Sequence, residues 1–130
     1  MFLRSLSALV LAVGLHAQAQ AAAPPSVPVT NVMVLLTVKP NIAQADVAKV
    51  LPEEVRETAL LYLDGKIDHW YSRTDVRGVI FFLHCTTIEE AKALMGGLPL
   101  DKAGYVNLEY VPVGPLAPLR FLTAKPAPAN

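Results

Sequence analysis

One short stretch, GKIDHWYSRTDVRGVIFFLHC over residues 65–85, gathers most of the side chains that could do chemistry. His69, Tyr71 and Arg73 recur at two-residue steps, and Phe82 and His84 follow at the same step. An arginine and a histidine on a largely apolar surface can hold a small carboxylate and move one proton. A neighbouring phenol can donate to an oxyanion as it develops. The catalytic candidates are therefore His69, Tyr71 and Glu109, and the substrate-binding candidates are Arg73, His84 and Phe82. A blander role is open to the same residues. His69, Tyr71 and Arg73 run toward a strand end, where polar side chains meet water or pair with acids, and His84 also lies near an end. A metal site needs three or four ligands in fixed geometry, which two histidines and scattered carboxylates do not supply. The sequence carries no Ser-His-Asp set, phosphate loop or nucleotide fingerprint, so no cofactor is expected.

Spacing suggests how these groups are held. Lys66–Arg73 reads as a strand, Thr74–Arg77 as a turn and Gly78–Cys85 as a second strand. A four-residue turn sets Arg73 opposite Gly78, Tyr71 opposite Ile80 and His69 opposite Phe82. Alternation then groups Ile67, His69, Tyr71, Arg73, Ile80, Phe82 and His84 on one face. Lys66, Asp68, Trp70, Ser72, Val79, Phe81, Leu83 and Cys85 take the other, which suits packing under helices. A one-residue bulge would exchange these faces.

The flanking segments complete the pattern. Asn31–Lys39 is apolar at nearly every position, as in a strand covered on both sides. Ile42–Leu63 is helical, with Val47, Leu51, Val55, Ala59 and Tyr62 as its apolar stripe. Pro52 suits a helix start, so a short helix to Val50 and a main one from Pro52 to Leu63 are expected, with Glu53 and Glu54 as helix-start charges. Thr87 and Glu90 form a capping box. Ile88, Ala91, Leu94, Met95 and Leu98 line the second helix, which Gly96-Gly97 ends. Asp101-Lys102 reads as loop. Tyr105–Val113 reads as a last strand, with Asn107 and Glu109 on one face and Pro112 near an end or on an edge. GPLAPLRFL reads as an extended arm.

The order β-α-β-β-α-β points to an α+β, ferredoxin-like domain with a four-stranded antiparallel sheet over residues 31–113. Residues 22–30 form a Pro-rich linker, and residues 114–130 a Pro-rich arm with a disordered tail. Two helices cover one sheet face only, yet the first and third strands are apolar on both. A second copy of the chain is the expected cover, as a homodimer or higher homo-oligomer.

Composition narrows the setting. Eleven Lys+Arg balance eleven Asp+Glu in 130 residues, which argues against a nucleic-acid partner. Residues 1–21 combine Arg4, the apolar run Leu6–Leu15 and the small residues Ala17, Ala19 and Ala21, the layout of a secretory signal peptide. The run is too short to span a bilayer. A mature protein in the periplasm or outside the cell, with no membrane attachment after cleavage, is expected. Cys85 is the only cysteine, so an internal disulfide is impossible, and its apolar surroundings suggest an inert thiol.

The combination GKIDHWYSR, GVIFFLHCTTIEEAKALMGGLPL and YVNLEYVPVGPLAPL resembles the muconolactone isomerase family, over roughly Val32 to Leu119. The resemblance rests on the Trp70 strand, the acidic helix start, the LMGGLPL element, and Glu109 with Pro112. It implies two ferredoxin-like sheets paired into a dimeric α/β barrel, around a cavity for a small acid or lactone. Muconolactone isomerases shift a double bond in a small carboxylated lactone by removing and returning a proton. A non-catalytic ligand-binding module and a structural oligomer are the alternatives on the same scaffold.

Overall fold

Apolar β-branched residues build the centre of a four-stranded antiparallel sheet. The computed structural model describes residues 26–123. Its strands are Asn31–Val38 (β1), Ile67–Ser72 (β2), Gly78–Leu83 (β3) and Val106–Val113 (β4), in the order β2-β3-β1-β4. Helices Gln44–Leu63 (α1), Ile88–Met95 (α2) and Pro99–Lys102 (α3) complete the α+β domain. This order and connectivity are compatible with the ferredoxin-like fold. The expected signal segment and the final tail residues lie outside the described residues, of which no helix is long and apolar enough to cross a membrane.

Alternation divides the sheet into two faces. Val32, Val34 and Leu36 of β1, Phe81 and Leu83 of β3, Ile67 of β2 and Val106 of β4 are buried with Val47, Ala91, Met95, Leu98 and Leu100. This is the core between sheet and helices. The opposite face carries Met33, Leu35, Ile80 and Phe82 at its centre, half-buried, and no helix of the described residues covers them.

The hairpin register agrees with the expected one at Tyr71–Ile80 and His69–Phe82, and the Arg73 N–H donates to Gly78 O at 2.9 Å. One residue departs. A bulge between Ile67 and His69 sets Ile67 opposite Leu83. Strict alternation put Ile67 beside His69; instead it is 2% exposed in the core. Asp68 takes its place on the open face, where its carboxylate accepts from Asn31 Nδ2 at 2.6 Å. The bulge re-aims two side chains and leaves the rest of the strand in phase.

The first helix is the larger correction. It is one continuous helix with Pro52 inside it, not two. Its buried positions are Val47, Glu54 and Thr58, with Val50 and Leu61 partly covered. Of the expected stripe Val47 is buried, while Leu51 and Val55 lie along the flank of the helix, 41% and 56% exposed. Tyr62 stacks on Trp70, with ring centroids 5.0 Å apart, and ties the end of α1 to β2.

Thr87 Oγ1 accepts from the Glu90 N–H at 3.2 Å, and the Glu90 carboxylate accepts from Thr87 Oγ1 and Thr86 N–H, as a capping device should. Asp101 and Lys102 belong to the short α3 rather than to a loop, and residues of the arm expected to be extended form a 3-10 helix over Ala117–Leu122. Pro112 sits in β4, an edge strand.

Candidate functional site

The sheet brings the sequence-selected residues onto its open face but spreads them. Tyr71, Ile80, Leu35 and Glu109 form one row across the four strands. Three strand spacings therefore separate Tyr71 from Glu109, about 14 Å of backbone. His69 and Phe82 lie in the next row, and the His69 and Tyr71 rings stack at 6.5 Å. His84 is at the far end, with Nδ1 3.2 Å from the Asp68 carboxylate.

Arg73 is held by its own turn. Its Nε and one terminal nitrogen grip the two Asp75 oxygens at 3.0 and 2.7 Å, and the other terminal nitrogen donates to Thr37 Oγ1 at 2.8 Å. The pairing raises the Arg73 pKa and lowers that of Asp75, with the hydrogen bond the main cause of each. Gly78 makes room for this arrangement. A Cβ there would lie 2.2 Å from Leu36 O and 3.2 Å from the Arg73 side chain. Asp75 thus occupies the fork that a ligand carboxylate would need.

The helix side of the sheet holds a cleft of about 400 Å³ between α1 and the ends of β2 and β3. Ligand pockets commonly start near this size. Leu36, Val79 and Phe81 form its floor, Leu51, Val55 and Thr58 the α1 wall, and Trp70, Tyr71 and Ser72 the edge strand, with Glu54 and Leu100 closing it. No Lys, Arg or His lines it among the described residues.

Glu54 is the functional candidate that the sequence did not disclose. It is 5% exposed rather than a solvated helix-start charge. Its Oε2 accepts from the Leu100 N–H at 2.8 Å, while Oε1 is buried with no partner among the described residues. Burial raises its pKa; the Leu100 N–H opposes this, and the nearby Glu57 and Asp101 charges add to it. Thr58 Oγ1 donates to Glu54 O at 2.7 Å and closes the polar patch. A Glu-x-x-x-Thr pair within an otherwise apolar helical face is the signal that could have exposed it.

Cys85 is half-buried, and burial together with the Glu90 charge raises its thiol pKa. It is therefore a poor nucleophile. Among the described residues no group of three or more His, Cys, Asp or Glu is placed to hold a metal ion. No protein-family model matches this chain, and a search of curated proteins returns no match.

Proposed function

We propose that this is an exported small-molecule-binding protein of the muconolactone isomerase-like kind. It works as a homodimer on a carboxylated or lactone-like ligand, with isomerisation by proton transfer as its candidate activity. The observation that carries the binding reading is the cleft under α1. It combines ligand-sized volume, a mostly apolar wall, one half-buried tryptophan and one buried carboxyl. The half-buried apolar centre of the open face supports the dimer, because a second copy would give that surface the cover it lacks.

A thermal-shift screen against aromatic acids and lactones tests the binding reading. Ligands that stabilise the protein should lose their effect in Ser72→Trp, which places an indole in the cleft from an exposed position. Turnover of lactones by the wild type separates an isomerase from a binding module. A screen with no stabilising compound rejects the reading, and so does stabilisation that Ser72→Trp leaves unchanged.

A second reading places the ligand on the open face, in a cavity between two copies. The shared face of His69, Tyr71 and Phe82 favours it. There Tyr71 and His69 are the available proton-transfer groups, while the Arg73 fork that would hold a carboxylate is engaged by Asp75.

A further inference from the structure

We propose that Glu54 is the recognition group of the cleft, and that its carboxyl donates an O–H hydrogen bond to the acceptor oxygen of an uncharged lactone or ketone. The inference rests on the reading that this cleft binds a small molecule, and it specifies which kind.

The two oxygens of Glu54 divide the roles. Oε2 already accepts the Leu100 N–H, so it behaves as the carbonyl oxygen of the acid. Oε1 has no donor within reach among the described residues. An ionised carboxylate would leave that oxygen buried with its charge unmet, which is unfavourable. A proton on Oε1 removes the need for a donor and creates a need for an acceptor. The other polar side chains on the helix side of the wall are Thr58 and Ser72, and Thr58 already donates to the backbone of α1. The acid's hydrogen turns about its own C–O bond, so it can meet an oxygen arriving in the cleft while Oε2 keeps the Leu100 N–H.

The surroundings select the charge of that ligand. With no Lys, Arg or His on the wall among the described residues, a carboxylate would enter without a counter-ion. Asp101 and Glu57, near enough to act on Glu54, add to the repulsion. An uncharged ring bearing a carbonyl meets neither penalty, and Trp70, Phe81 and Leu36 offer it apolar contact.

Trp70 is the only tryptophan in the chain and lines the cleft, so its fluorescence reports occupancy directly. Three probes of similar size are titrated into the full mature protein at neutral pH: coumarin as neutral lactone, cinnamate as carboxylate and benzylamine as cation. Coumarin is expected to bind at least tenfold more tightly than the other two. Glu54→Gln keeps a donor for the ligand and an acceptor for Leu100, so it should hold coumarin within about threefold of the wild type. Glu54→Leu should lose at least tenfold. Preferential binding of cinnamate or benzylamine overturns the inference while leaving a ligand-binding cleft. Coumarin binding that is unchanged in a folded Glu54→Leu does the same. If Glu54→Leu does not fold, loss of coumarin binding in folded Glu54→Gln overturns it instead. No response to any probe rejects the cleft reading and the inference together.

Discussion

At Glu54 the fold holds a carboxyl that the unfolded chain would ionise more readily, and the direction of its pH effect follows from that. Burial raises its pKa above the ordinary value of 4.5. The folded protein therefore keeps a proton that the unfolded chain releases, and stability falls as pH rises from 4.5 through the folded pKa. Glu53, Asp75 and Glu90 are shifted downward and act in the opposite sense at lower pH. Comparison with Glu54→Gln isolates the one group. Urea midpoints across the acid-to-neutral range should show the wild type losing stability relative to Glu54→Gln as pH rises. A constant difference between the two would mean that Glu54 titrates alike in both states.

The elements show where sequence reasoning succeeded and where it failed. The hairpin, the capping box at Thr87 and the order of the elements were all legible, because each depends on short-range chemistry. The course of α1 was not. Pro52 is a sound helix-start signal, but here it is an exposed residue inside a helix held by packing at both ends. The buried face departs from the apolar stripe for a related reason. Glu54 points inward to accept from the Leu100 N–H, 46 residues along the chain, and Thr58 beside it donates to the backbone of α1. Apolar periodicity carries no information about such a distant donor. Pro52→Ala should restore the missing helix hydrogen bond and stabilise the protein by about 1–2 kcal/mol in urea unfolding. Gly78→Ala should act in the opposite direction by about 1–3 kcal/mol, because the new Cβ meets Leu36 O at 2.2 Å. A Gly78→Ala protein as stable as wild type would show that β1 and β3 can separate there without loss. His69, Tyr71, Ile80 and Phe82 share the open face as alternation predicts, whereas Ile67 does not, and Asp75 as the partner of Arg73 became visible only once the turn had a shape.

For the whole molecule, the proposed dimer makes the open face its centre. Ile80 lies in the middle of that face, paired with Leu35 and Tyr71. Ile80→Glu should weaken self-association at least tenfold in sedimentation equilibrium while leaving the core on the opposite face in place. A wild type that sediments as a monomer at tens of micromolar would reject the dimer.

The bulge at Asp68 also bears on how copies of the chain can go wrong. Each outer strand of an open sheet is a template for unwanted strand addition and fibre growth. On β2 the bulge breaks the regular spacing of outward amides. On β4, the Lys39 N–H bond to Tyr105 O and the alternation of the ladder place Pro112 in a pair whose amide positions face outward. A proline there removes one donor from the rim. Both rims of the sheet are thus poor templates, and a chain with so much apolar surface is steered away from ribbon-like polymers and toward closed contacts between faces.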